Sequence, residues 1–296
     1  MNRFIKQLAI GFFCIAIPIT SWSAAWIDGL EGSVGDFKLS RNGQLVAVKI
    51  FLMLEEGDCI DVVHSGSTLW IASDNPSIPR KAVSYENPPY CLKSEDIGRA
   101  RGLGSNLVAW IGGWLTDRVT TQARAVVSTV ARGEEMQYIS LPLASLGGLK
   151  MVAGRRPMYL AWEGGCPPYS VRVVTEDGHG VLMHQQGIQE SRFTSAPMFF
   201  RPGRYRIEIG DKDENVKQAL EVVESGAMPS PPSELQATKG SDDMQALLKA
   251  AALASHGSGW AFEAYQIASE LGDHYQPARV LRESIEQGDM PPRMPQ

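Results

Sequence analysis

The chain has 296 residues and a formal net charge of -5, with 44% hydrophobic and 21% charged residues. This mildly acidic balance lacks the basic footprint that nucleic acid or an anionic membrane surface requires, so neither is an expected partner. The 29 glycines and 18 prolines mark many turns and point to a mainly β protein with helical additions.

The first segment, "MNRFIKQLAIGFFCIAIPITSWSAAW", carries Arg3 and Lys6, an apolar run from Leu8 to Ile19, and then Ser21, Ser23, Ala24 and Ala25. That is the layout of a secretory signal peptide over 1–24, with an apolar run too short to span a bilayer. Cys14 stands behind Phe12 and Phe13 rather than behind small residues, so lipidation is not expected. Export to the periplasm is the reading, with secretion or an uncleaved N-terminal anchor as alternatives and no integral span after signal removal. Loss of Arg3 and Lys6 takes the charge to about -7. Roughly 270 residues then remain, enough for two or three domains.

Residues 25–93 read as strands. In "FKLSRNGQLVAVKIFLML", Asn42-Gly43 signals a hairpin, and strict alternation then places Val46, Val48, Ile50, Leu52 and Leu54 on one face of one strand. "EEGD" is a turn, and "CIDVVHSGSTLWIASD" supplies two further strands. The stretch resembles a FecR-type periplasmic β domain through Gly32-Ser33-Val34, Arg41 and Gly43 at the hairpin, and Leu54, Gly57 and Asp58 at the turn. The resemblance covers about 60 residues and departs at Asp74-Asn75-Pro76, where an Asp-Gly turn is usual. It implies a sensor, regulatory or scaffold module and brings no catalytic residue.

Residues 94–132 form a predicted helical connector of one or two helices. Ser94 with Glu95 and Asp96 is a helix start, and Leu107, Trp110, Ile111 and Trp114 fall at helical spacing around Gly112-Gly113. Extended structure resumes at "EMQYISLPL". Over 133–225, Met158, Leu160 and Trp162 share one face, as do Tyr169, Val171 and Val173, and Tyr205, Ile207 and Ile209. Short alternating strands with regular turns argue for a β-sandwich. Through Trp162 and "GGCPPYSVRV" this region resembles a bacterial immunoglobulin-like domain. A Pro/Ser-rich linker (226–240) leads to a helical tail (241–290), a short hairpin opened by Ser241 and stopped by Gly257 and Gly272. After a flexible linker, this small apolar tail is the expected partner-binding element.

Three cysteines follow the leader: Cys59, Cys91 and Cys166. Three single pairings are open, and Cys59–Cys91 is favoured because both fall in one predicted domain. Cys166 would serve as a nucleophile only with a base such as His179 or His184 in reach; the favoured reading is a turn cysteine. The spacing of His179 and His184 sets them on opposite faces of a strand, against shared metal ligation. "DKDEN" (Asp211, Asp213, Asn215) mimics a calcium loop, but Val216 and Val222 replace the required glycine and glutamate. "GRARGLGSN" lacks the Lys-Ser/Thr pair of a phosphate loop, and the familiar hydrolase motifs do not occur.

The sequence thus points to an exported, non-enzymatic binding or scaffold protein of the cell envelope, with no cofactor and no metal. Another envelope protein is the expected partner, with Trp110, Trp114, Tyr169 and Trp260 as candidate contacts. A peptidoglycan or other glycan binder is the first alternative, and a cysteine-dependent envelope hydrolase the second.

Overall fold

The structure, a computed structural model, describes residues 25–73, 78–96, 106–125, 138–230, 241–257, 259–272 and 274–294, together with 233 and 235. The predicted leader, the Asp74-Asn75-Pro76 turn, the glycine-rich part of "GRARGLGSN" and most of the linker lie outside the described residues. The chain is mainly β with helical additions, as the turn-rich composition leads one to expect.

The first unit contains β1 (Ala25–Glu31), β2 (Phe37–Arg41), β3 (Gln44–Val46), β4 (Met53–Leu54), β5 (Cys59–Val62), β6 (Thr68–Ser73), β7 (Lys81–Ser84) and β8 (Tyr90–Cys91). They form two four-stranded sheets, ordered β4-β1-β6-β7 and β3-β2-β5-β8. The Asn42-Gly43 hairpin forms as its sequence dictates, with both residues at positive φ. The single strand expected over Val46–Leu54 does not form. Its two ends belong to different sheets, and the chain crosses between them through Phe51, which has φ 62°. Val48, Ile50, Phe51 and Leu54 are buried along this crossing, so alternation over a sheet-to-sheet corner imitated a straight strand.

Among the described residues the connector supplies one α-helix, α1 (Asn106–Ala125), within the expected one or two. Ser94–Asp96 is only a turn of 3₁₀ helix. Ile111, Trp114 and Leu115 face inward, and Gly112 marks the closest approach: a Cβ there would lie 2.3 Å from the Ile50 carbonyl oxygen. Thr116 Oγ1 donates to Gly112 O at 2.6 Å and accepts the Ile50 amide at 2.9 Å, seating the helix on the crossing.

The second unit begins with a short helix, α2 (Pro142–Ser145), where extended chain was expected. Strands β9 (Leu149–Val152), β10 (Gly154–Arg156), β11 (Tyr159–Ala161), β12 (Tyr169–Thr175), β13 (Val181–Ile188), β14 (Arg192–Thr194), β15 (Met198–Phe200), β16 (Gly203–Gly210) and β17 (Asn215–Val223) follow. A five-stranded sheet runs β13-β12-β16-β17-β9, with β9 parallel to β17, and two ribbons pair β10 with β15 and β11 with β14. The inward faces are those the alternation names: Met158, Leu160, Trp162, Tyr169, Val171, Val173, Ile207 and Ile209 are all buried. Glu208, which alternates with the inward Ile207 and Ile209, is nevertheless buried, between Arg172 and Arg206 at 3.0 and 2.9 Å.

Three helices close the chain: α3 (Asp242–His256), α4 (Ala261–Leu271) and α5 (Gln276–Glu286). Ser241 caps α3 by accepting the Met244 amide at 3.2 Å, and the stripe Met244, Leu247, Leu248 and Ala251 is fully buried. These helices are not a free tail. Gln276 of α5 accepts the Leu30 amide and donates to the Leu30 carbonyl (3.3 and 2.7 Å), while Gln266 of α4 clasps Tyr159 N and O at 2.8 Å each. Glu263 of α4 accepts from Val152 N at 3.0 Å and pairs with Arg156 at 2.7 Å. Tyr275 donates to Asp28 at 3.0 Å, and Arg118 of α1 pairs with Asp289 at 2.6 Å. The helical layer therefore brackets both β units.

Candidate interaction site

The residues singled out by sequence do not converge. Cys59 and Cys91 face one another across β5 and β8 and are joined in a disulfide. Trp114, Tyr169 and Trp260 are 9%, 5% and 5% exposed, and Trp110 is half-buried against the same core. The burial of Trp114, Tyr169 and Trp260 corrects their reading as partner contacts, while Trp110 keeps part of its surface. The flat aromatic platforms that sugar stacking requires are therefore not built from these three buried rings. The expected partner-binding tail is corrected likewise, because its apolar stripe is spent on the core.

Cys166 is exposed and free, in the turn before β12, and its amide donates to Asp211 Oδ2 at 2.8 Å. The imidazoles lie elsewhere. His184 stands opposite Arg172 in mid-strand, and His179 lies in the turn beyond Thr175, at the far end of β12. Seven strand residues span roughly 20 Å, so no Cys166–His179 dyad is assembled.

Asp211 is a hairpin anchor. Besides the Cys166 amide, it accepts the amides of Asp213 and Glu214 at 2.8 Å each, and these three donors hold its carboxyl below the ordinary value. Its oxygens are thus already engaged by the chain rather than arranged around a cation. Among the described residues, no group of three or more His, Cys, Asp and Glu is placed to hold a metal ion. Asp28 is buried, as are Asp58, Glu208 and Glu263. Burial pushes the Asp28 carboxyl upward, against the pull of Arg80 at 2.7 Å and hydrogen bonds from Trp26 and Tyr275. Through Tyr275 it ties β1 to the start of α5.

What stands out instead is an edge. The outer side of β9 is covered: Lys150 N donates to Gly259 O at 3.2 Å, and Val152 N to Glu263. At the opposite margin of the sheet, β13 runs for eight residues, "VLMHQQGI", and among the described residues no strand lies beyond it. It contains no proline and no Asp, Glu, Lys or Arg. Val181, His184, Gln185, Gln186 and Gly187 are exposed, and Leu182, Met183 and Ile188 are half-buried. Long, uncharged, uncovered edge strands are what soluble proteins usually avoid. Where β13 ends, Gln189, Glu190 and Arg192 enter a groove of about 620 Å³ that is also lined by Glu163 and Glu286. Arg192 is held by Glu286 at 2.6 Å. Sequence reading missed this edge, although the uncharged run was visible, because strand order in a sheet is not written in any one strand.

No protein-family model matches the chain, and no curated protein matches it. Among solved structures, it is similar at 12% identity to domains 4 and 5 of the S-layer protein SbsC, over 65% of this chain and 73% of that one, with a TM-score of 0.22. It is also similar to SbsC domains 4–9 at 12% identity, over 68% of this chain and 24% of that one, with a TM-score of 0.24. Similarities at this level carry no functional argument. Among the described residues no helix is long and apolar enough to cross a membrane.

Proposed function

We propose that this is an exported, non-catalytic binding or scaffold protein of the bacterial cell envelope, acting in the periplasm and contacting another protein through its β units. The observation that carries the reading is the open β13 edge, in a molecule whose C-terminal helices bury their apolar stripes and whose Trp114, Trp162 and Trp260 are packed in the core. Export rests on the leader composition and agrees with the Cys59–Cys91 disulfide, since such bonds persist in oxidising compartments.

A FecR-like first unit is supported by the meeting of its motif residues: Arg41 forks onto Asp58 at 2.9 and 2.7 Å, and Asp58 also accepts the Glu55 amide. The basic residue of the hairpin and the acid of the turn are therefore one bidentate pair, with the acid fully buried and the arginine half-buried. An immunoglobulin-like second unit is supported by the parallel β9–β17 closure and by Tyr205. That side chain stands near the start of β16, and its hydroxyl donates to Arg201 O at 2.9 Å, in the manner of a tyrosine corner.

The test is covalent crosslinking of the full-length protein in intact envelopes, with identification of captured species. A specific protein captured reproducibly is the expected result. Capture of no protein, together with co-sedimentation on peptidoglycan, would sink the protein-binding reading.

A further inference from the structure

Resting on that binding reading, we infer that β13 is a strand-addition site for an extended segment of another protein, and that this segment carries a Lys or Arg at the end beside Ile188. An open strand edge offers a row of backbone donors and acceptors, and only an extended polypeptide supplies the matching row. The same sheet shows what satisfied edge groups look like, because Gly259 and Glu263 accept from β9. No covering element of that kind reaches β13 among the described residues; its exposed side chains make local contacts, from Gln185 to Gln186 O and from Gln189 to Gly187 O at 3.1 Å each and between Gln186 Nε2 and His184 Nε2 at 3.2 Å. Side-chain amides of this sort are exchanged for backbone partners without disturbing the core.

Charge selects the occupant. The eight residues of β13 carry no formal charge, so the strand itself repels neither sign. Its end is different. Gln189 and Glu190 continue directly from β13 into the groove, where Glu163, Glu190 and Glu286 face a single guanidinium, that of Arg192. Arg192 is committed to Glu286, and Glu286 also accepts from the Tyr265 hydroxyl at 2.9 Å. Glu163 and Glu190 have no ion-pair partner among the described residues. Glu163 and Glu190 line the groove into which the chain runs at the Ile188 end of β13, so an added segment that continues past Ile188 into this groove would meet two uncompensated carboxylates, which favours a cationic side chain there and disfavours an acidic one. Backbone pairing supplies affinity, and the carboxylates supply direction and selectivity.

The experiment uses the immobilised full chain and a display library of random peptides at least as long as β13. The expected outcome is convergence on proline-free, β-prone sequences with Lys or Arg toward one end. Bound peptide should slow amide hydrogen exchange by about tenfold or more, concentrated in Val181–Ile188. Glu163→Gln combined with Glu190→Gln should weaken binding by about three- to tenfold, and added salt should act in the same direction. Failure to enrich any sequence over an unrelated immobilised protein would overturn the inference. So would protection that falls outside β13, or peptides that are acidic or indifferent to the two carboxylates. Concentration-dependent protection of β13 without peptide would assign the edge to a second copy instead. Envelope crosslinking that captures the same protein from the wild type and from a His184→Lys, Gln186→Lys edge variant would reject this site while leaving the binding reading intact.

Discussion

β9 and β13 are the two outer strands of one sheet, and they finish in opposite ways. β9 is short and parallel to its neighbour, and its outward amides are accepted by Gly259 O and the Glu263 carboxylate. β13 is twice as long, pairs only with β12, and presents its other side uncovered among the described residues. The first unit adds a third solution: its edge strand β8 is only two residues long and is tied to β5 by the Cys59–Cys91 bridge. Edges that serve only the fold are thus shortened, capped or cross-linked, and the one left long and neutral is marked as a surface with another use.

The largest effect should come from uncapping β9. Glu263→Ala leaves the half-buried Arg156 without its partner and the Val152 amide without an acceptor, and a loss of about 3–5 kcal/mol is expected from denaturant midpoints. A loss below 1 kcal/mol would mean that the cap is incidental. Next comes the cross-linked edge. Replacing Cys59 and Cys91 with serine opens a loop of sequence separation 32, and the chain-entropy model gives a loss of about 3–4 kcal/mol, readable as a lowered Tm under oxidising conditions.

Gly259→Ala should cost about 1–3 kcal/mol. Its φ is +83°, and a Cβ would sit 2.8 Å from Gly147 O, forcing the capping loop away from β9. Faster exchange of the Lys150 amide in this variant would confirm that the loop, and not the helix alone, closes the edge. A smaller effect concerns Asp211, whose three backbone donors depress its carboxyl. The sign follows from linkage: a depressed acid contributes stability above its ordinary pKa of 3.8, and that contribution is lost as pH falls through the folded-state value. Asp211→Asn should therefore flatten the acid limb of the stability profile, and an unchanged limb would assign acid sensitivity elsewhere.

The smallest stability change should be at β13. His184→Lys with Gln186→Lys alters exposed side chains only, so the denaturant midpoint should shift by no more than about 0.5 kcal/mol each. Binding of a strand-forming peptide should nevertheless fall. A large loss of stability here would show that β13 is part of the fold's foundation rather than a free edge.

Local chemistry was legible in the sequence. Asn42-Gly43 names its hairpin because only residues at ease with positive φ fit that turn. Alternation names the inward faces around Leu160, Val171 and Ile207, and Ser241 and Gly257 bound α3 because capping depends on immediate neighbours. The favoured Cys59–Cys91 pairing also holds. What failed depends on distant chain. The run Val46–Leu54 alternates, yet its halves join different sheets, because burial at a corner and burial along a strand leave the same pattern in sequence. Trp260 and the tail read as available apolar surface, but apolarity says only that a face must be covered, not by what. Gln266, Gln276 and Glu263 carried no signal, since one side chain clasping a backbone 107, 246 or 111 residues away leaves no trace in local composition. The candidate site belongs to this second kind. The composition of β13 is written in the sequence, but its place at the margin follows from which strands pair, and pairing is decided by the packing of the whole chain.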